Sequence, residues 1–115
     1  LKRSSIFFIP DFTTKRQPAT VCLRNALHLH CRRVLDTWSP ALDWCLVASG
    51  KAESVITVSE QAVPSDAGLL ILQEAGGKVT DFAGKSFTLE NSGRLIASNA
   101  TTLHHELLKL AKRCC

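Results

Sequence analysis

The sequence contains no methionine, has no apolar run approaching the roughly 20 residues a membrane helix needs, and shows no paired spacing among its five cysteines. The longest apolar run, Ala67 to Leu72, has six residues, which excludes a membrane-spanning helix. At the N-terminus, LKRSSIFFI has charge followed by only four apolar residues, against about 7–15 for the core of a signal peptide. No small-residue cleavage site follows, so no export signal is read. The cysteines (Cys22, Cys31, Cys45, Cys114, Cys115) are odd in number, which argues against a secreted disulfide framework and for a reducing, cytoplasmic setting. A chain that begins with Leu1 and lacks methionine also points to a coding start further upstream.

What is present is a core-forming composition. The 115 residues are 45% hydrophobic and 21% charged, with six Gly and four Pro, so disorder and collagen-like repeats are excluded and one globular domain is expected. The net charge of +4 is uneven: residues 1–36 hold seven Lys/Arg against two Asp/Glu, and residues 37–115 hold seven against eight. Such an excess can mark a nucleic-acid contact. Arg32 and Arg33 are the only adjacent pair inside the better-structured region, however, and Phe7, Phe8 and Phe12 do not interleave with the cations as a base-stacking platform would. A solvated basic face is the favoured reading, and nucleic acid is not expected as a partner.

Periodicity is weak before residue 33. Ile6 to Ile9 reads as a short strand, Asp11 to Pro18 as a polar loop and Ala19 to His30 as a helix; residues 1–32 are taken together as a poorly defined basic segment. Val34 to Trp38 then reads as a strand. Ser39-Pro40 supplies an N-cap followed by proline at the first helical position, and Gly50 stops the helix that follows. Its inward stripe is expected to be Leu42, Cys45, Leu46 and Ser49. Ser54 to Val58 is a β-branched strand. Ser65 to Ala75 is a helix apolar nearly all round, as if pressed between layers, closed by Gly76-Gly77. Lys78 to Phe82 and Arg94 to Ser98 are strands. The last helix, Thr102 to Lys112, presents Leu103, Leu107, Leu110 and Ala111 inward. The alternation predicts a layered α/β fold.

Three segments in order, SPALDWCLVASGKAESVI (39–56), AGLLILQEAGGKVTDFAGKSF (67–87) and SGRLIASNATTLHHELL (92–108), resemble the C-terminal half of the inositol monophosphatase family, Mg²⁺-dependent, typically lithium-sensitive phosphomonoesterases. The resemblance covers residues 33–112. It implies that residues 33–115 form a sheet-and-helix lobe like the C-terminal part of the family's α/β/α/β/α fold. It also implies a phosphomonoester substrate (an inositol, sugar or nucleotide phosphate) and a Mg²⁺ site between two lobes. The family's first lobe supplies most metal ligands through a Glu-Glu element and an Asp-Pro-x-Asp-Gly-Thr loop. This chain has no Glu-Glu, Asp-Pro or Asp-Gly dipeptide. Mg²⁺ needs near-octahedral oxygen coordination, so one lobe cannot assemble the reaction by itself.

The family's second lobe adds one aspartate, in a Trp-Asp-x-x-Ala-Gly pattern. Aligned on Ala67-Gly68, that position is Pro64 here, and Asp66, two residues on, is the metal-ligand candidate. Its alternative is a first-turn carboxylate favoured by the helix dipole. The family's substrate turn, Gly-Ser/Thr-Ala, matches Trp38, Ser39 and Pro40, followed by Ala41; Ser39 and Ala41 are the substrate-binding candidates, although Pro40 removes an N–H donor. A glutamate that the family often uses for a substrate hydroxyl aligns with Thr57.

Three further clusters were weighed. Cys22, His28, His30 and Cys31 have zinc-type donors without a zinc-module spacing. His104 and His105 are read as solvent-facing histidines near a helix start rather than acid–base catalysts, and Lys112 to Cys115 as a frayed helix end rather than a prenylation signal. The sequence therefore points to a lobe of a phosphatase that is incomplete alone and completed by a missing N-terminal lobe or by homo-oligomerisation. The competing reading is a non-catalytic remnant acting as a protein-interaction module.

Overall fold

The computed structural model describes residues 2–11, 13–37, 40–58, 66–86, 94–99 and 101–114. Its centre is β3 (Ser54–Val58), a run of β-branched residues buried along its whole length, as expected of a strand covered on both faces. On one side β3 pairs in parallel with β1 (Ser5–Pro10), which pairs in parallel with β2 (Arg33–Leu35). On the other it pairs antiparallel with β5 (Arg94–Ser98), and β5 pairs antiparallel with β4 (Lys78–Asp81). The sheet order is β2-β1-β3-β5-β4.

Side chains alternate across the pleat, so each strand feeds two cores. Ile6, Phe8, Ile56 and Ile96 meet one layer, built with Leu23 and Leu27 of α1 (Pro18–His30) and Leu103, Leu107 and Leu110 of α4 (Thr101–Cys114). Phe7, Val55, Val79 and Ala97 meet the other, with Trp44 and Val47 of α2 (Pro40–Ala48) and Leu72 of α3 (Asp66–Glu74). Residues 1–32 thus contribute a strand and a helix to the same sheet and core. The inward stripe of α4 is the one its spacing predicts.

Two helix faces differ from expectation. In α2 the buried residues are Asp43, Trp44 and Val47, while Leu42 is 58% exposed and Cys45 is exposed. The wide Trp44 indole takes the inward position and turns the smaller apolar residues outward. α3 is covered on one side only: Leu72 is buried, but Leu70 and Ile71 are 59% and 45% exposed. The α2–α3 contact is close because Gly68 has no side chain, and a Cβ there would lie 3.0 Å from the Trp44 Cβ. The turn that follows α3 passes through Gly76, whose φ of +85° suits glycine.

The cysteine reading is also corrected. Cys22 of α1 and Cys114 of α4 form a disulfide, with Cα atoms 5.6 Å apart and 92 residues between them in sequence. Antiparallel packing of the two helices brings them together, which no local spacing could reveal. No helix of the described residues is long and apolar enough to cross a membrane.

Candidate functional site

Strands β1, β2 and β3 run parallel, so their carboxyl ends lie together, and the chain returns from them through α1, α2 and α3. Each of these helices therefore points its N-terminus, the positive end of its dipole, at that end of the sheet. Open α/β sheets bind ligands there.

Beyond β1, Asp11 Oδ1 accepts hydrogen bonds from the Thr14 N–H at 2.7 Å and the Thr13 hydroxyl at 2.8 Å. The fully buried Thr14 hydroxyl bonds the Val58 carbonyl, and the Asp11 N–H donates to that same carbonyl at 3.1 Å. This turn ties β1 to β3 where both strands end. Next to it the Thr37 hydroxyl lies 2.7 Å from both oxygens of Asp43, which has no exposed surface. Burial pushes the Asp43 carboxyl above the usual aspartate range; the Thr37 bond opposes the rise and Asp36 adds to it. Asp43 therefore anchors the segment entering α2 from inside the helix.

Thr57, one residue before the end of β3, faces the α2–α3 layer by strand alternation from Val55. Its hydroxyl is buried and has no hydrogen-bond partner among the described residues.

Of the sequence candidates, Ser39 lies outside the described residues. Ala41 stands in the first turn of α2 and Asp66 opens α3, which puts their backbones at the carboxyl end of the parallel strands; their side chains lie outside the description. The zinc-type cluster is not assembled: Cys22 is bonded to Cys114, His28 and His30 are exposed, and burial raises the Cys31 thiol pKa. His105 is exposed as expected. His104, in contrast, is buried, with Nε2 2.7 Å from the Thr80 hydroxyl and Nδ1 2.7 Å from the Ser98 hydroxyl. Thr80 donates its proton to the Asp81 carbonyl, so its oxygen accepts from Nε2–H and Nδ1 accepts from Ser98. Cys114 belongs to a helix and a disulfide.

The sequence reading missed the Asp11–Thr14 turn and the Thr37–Asp43 pair. The signals were available: an Asp with Thr two and three residues on, just after a strand, and one aspartate inside the otherwise apolar run ALDWCLVA.

The model for the inositol monophosphatase family matches residues 4–114. The chain belongs to the inositol monophosphatase family. It is 36% identical over 105 residues to the Nus factor SuhB of Pasteurella multocida, an alignment covering 91% of this chain and 39% of that protein. It is 37% identical over 79 residues to the fructose-1,6-bisphosphatase/inositol-1-monophosphatase of Thermotoga maritima, covering 69% of this chain and 30% of the relative. A solved Thermotoga maritima inositol monophosphatase superposes with a TM-score of 0.82 at 27% identity, over 99% of this chain and 42% of that one. The chain thus spans about two-fifths or less of the length of these relatives.

Members of this family are generally Mg²⁺-dependent. Among the described residues no three His, Cys, Asp or Glu side chains gather as a metal site would require. These residues do not fit a Mg²⁺ centre on their own, and no hydrolytic step follows from them.

Proposed function

We propose that this chain is the substrate-side lobe of an inositol-monophosphatase-like phosphomonoesterase, and that it does not hydrolyse phosphate esters alone. In this reading Ser39, Ala41 and the N-terminus of α2 meet the substrate, and Asp66 is the one carboxylate the lobe offers to a metal. The observation that carries it is the convergence, at the carboxyl ends of the parallel strands, of the α2 and α3 N-termini with the Thr57 hydroxyl, buried and without a hydrogen-bond partner among the described residues. Helix N-termini favour anions such as a phosphate ester, and a buried hydroxyl without a partner gains from a ligand's polar group. The aligned enzyme from Thermotoga maritima, whose name includes inositol-1-monophosphatase, agrees with that chemistry.

The test is phosphate release from inositol 1-phosphate in Mg²⁺ buffer. The purified chain should release none. Mixed with a separately expressed first lobe of a relative, it should restore release, and Asp66→Asn should reduce it. Release by the chain alone would overturn the incomplete-lobe reading.

A second reading, a protein-interaction module, has its own support. Leu42, Leu70 and Ile71 are exposed on the α2–α3 layer, and several relatives are Nus factors. It is favoured if no first lobe restores hydrolysis while the chain binds a protein partner through that layer.

A further inference from the structure

The opposite end of the sheet, where β1, β2, β3 and β4 begin, gathers six exposed cations: Lys2, Arg3, Arg32, Arg33, Lys51 and Lys78. Backbone bonds fix their proximity. The N–H groups of Arg32 and Arg33 both donate to the Ser4 carbonyl, at 3.0 and 3.2 Å, which sets them beside Lys2 and Arg3. The Glu53 N–H donates to the Ser5 carbonyl at 3.0 Å, bringing Lys51 to the same edge. Lys78 pairs with Ser98, which pairs with Ser54, which pairs with Ile6. With strands about 4.8 Å apart, the row from β2 to β4 is about 19 Å long. Lys51 and Lys78 stand alone in sequence, so only the fold joins them to the basic N-terminal segment.

The carboxyl ends of α1, α2 and α3 also point here, and complementing their dipoles accounts for part of this charge. Three ends of about half a charge each, with Glu53 and Glu74, leave positive charge in excess. The Glu53 carboxylate is already engaged, accepting the Ser5 N–H at 2.6 Å. Among the described residues none of the six cations forms an ion pair.

We infer that this end of the sheet binds the phosphate backbone of a nucleic-acid strand without reading its bases. The row matches about five or six phosphates of a base-stacked strand, at about 3.4 Å of axial rise each. Three of the six cations are arginines, whose planar forks suit phosphate oxygens. Phe7 and Phe8 of the neighbouring strand are buried, so they provide neither a base-stacking surface nor the aromatic anchor of a protein interface. Because this end lies opposite the helix N-termini of the proposed substrate site, the two ligands do not compete.

The test is fluorescence anisotropy of a labelled mixed-sequence single-stranded oligonucleotide, titrated with the full chain at rising salt. Four to six phosphate contacts give a log–log salt slope of about −3 to −4. Arg3→Glu with Arg33→Glu should weaken binding at least about tenfold, and loss of two contacts flattens the slope by about 1.4. Lys109→Glu with Lys112→Glu, an equal charge change on exposed positions of α4, should leave the slope in place. Circular dichroism checks that each variant is folded, and Arg3→Gln with Arg33→Gln replaces the first pair if it is not. A slope shallower than about −1, or an equal loss in the α4 pair, overturns the inference. Displacement by polyglutamate at the same charge concentration as effectively as by unlabelled oligonucleotide also overturns it, in favour of an acidic protein partner.

Discussion

His104 keeps both ring nitrogens bonded inside the core, and Nδ1 is the acceptor for Ser98. Protonating it would force the Ser98 hydroxyl to turn and would place a charge in an apolar layer. Burial, with smaller contributions from Lys78 and His105, lowers its pKa from 6.5 to about 4. The unfolded chain then binds the proton more readily than the folded one between these values, so stability is full above pH 6.5 and falls as pH drops toward 4. The slope from this one group is at most about 1.4 kcal/mol per pH unit. Urea midpoints across that window should show the fall, and His104→Gln should flatten it; an unchanged slope in the variant would remove the assignment. At Thr57 the buried hydroxyl has no partner among the described residues, and Thr57→Val deletes it at nearly constant shape. The variant should gain up to about 1 kcal/mol in denaturant unfolding, and if Thr57 contacts substrate it should also lose affinity in a completed enzyme.

Among the elements, the strands were the most legible, and for a physical reason. Ser54–Val58 and Arg94–Ser98 are short β-branched or apolar runs bounded by polar residues, and both form as read. α4 was legible because its leucines keep one stripe. α2 was placed correctly by Ser39-Pro40 and Gly50, but its rotation was not, because the spacing does not weigh Trp44 against three smaller residues or reveal the hold of Thr37 on Asp43. Of the candidate site, the local sequence located the helix starts; the partners of Asp11, Thr14 and Thr57 depend on strand pairing and could not be read from it. Two element-level predictions follow from close contacts. A Cβ on Gly77 would lie 2.5 Å from Leu72 Cδ1 and 2.9 Å from the Leu72 carbonyl oxygen, and Leu72 is fully buried. Gly77→Ala should therefore cost about 1–3 kcal/mol in urea unfolding, whereas a helix-propensity argument would make alanine favourable. The Cys22–Cys114 disulfide closes a loop across most of the chain. Cys22→Ser should cost about 2–4 kcal/mol under oxidising conditions. With reductant present, variant and parent should unfold together; a difference that survives reduction would mean that the cysteine acts through packing instead.

At the scale of the whole molecule, the two helix layers are unequal. The α1–α4 layer buries an extended leucine and isoleucine core and is closed by the disulfide. The outer surface of the α2–α3 layer shows Leu42, Leu70 and Ile71 at 58%, 59% and 45% exposure, with Cys45 exposed nearby in α2. Scattered exposed leucines are ordinary, but α2 and α3 pack side by side through Gly68 and Trp44, which groups these residues on one layer. An apolar surface of this kind tends to be covered by another protein surface. The relatives have more than half of their length outside the matched region, so a packed neighbour in them has ample chain to draw on. The isolated chain should therefore self-associate. Sedimentation velocity should show a concentration-dependent shift to larger species, and Leu42→Glu with Leu70→Glu should return it to monomer with little loss of stability, because neither residue belongs to the buried core. If the parent is monomeric at all concentrations, this face does not drive association. If the double variant unfolds instead, these side chains pack inward in solution and the layer is closed. Retained fold with restored monomer is the outcome expected from a layer that carries an interface rather than a core.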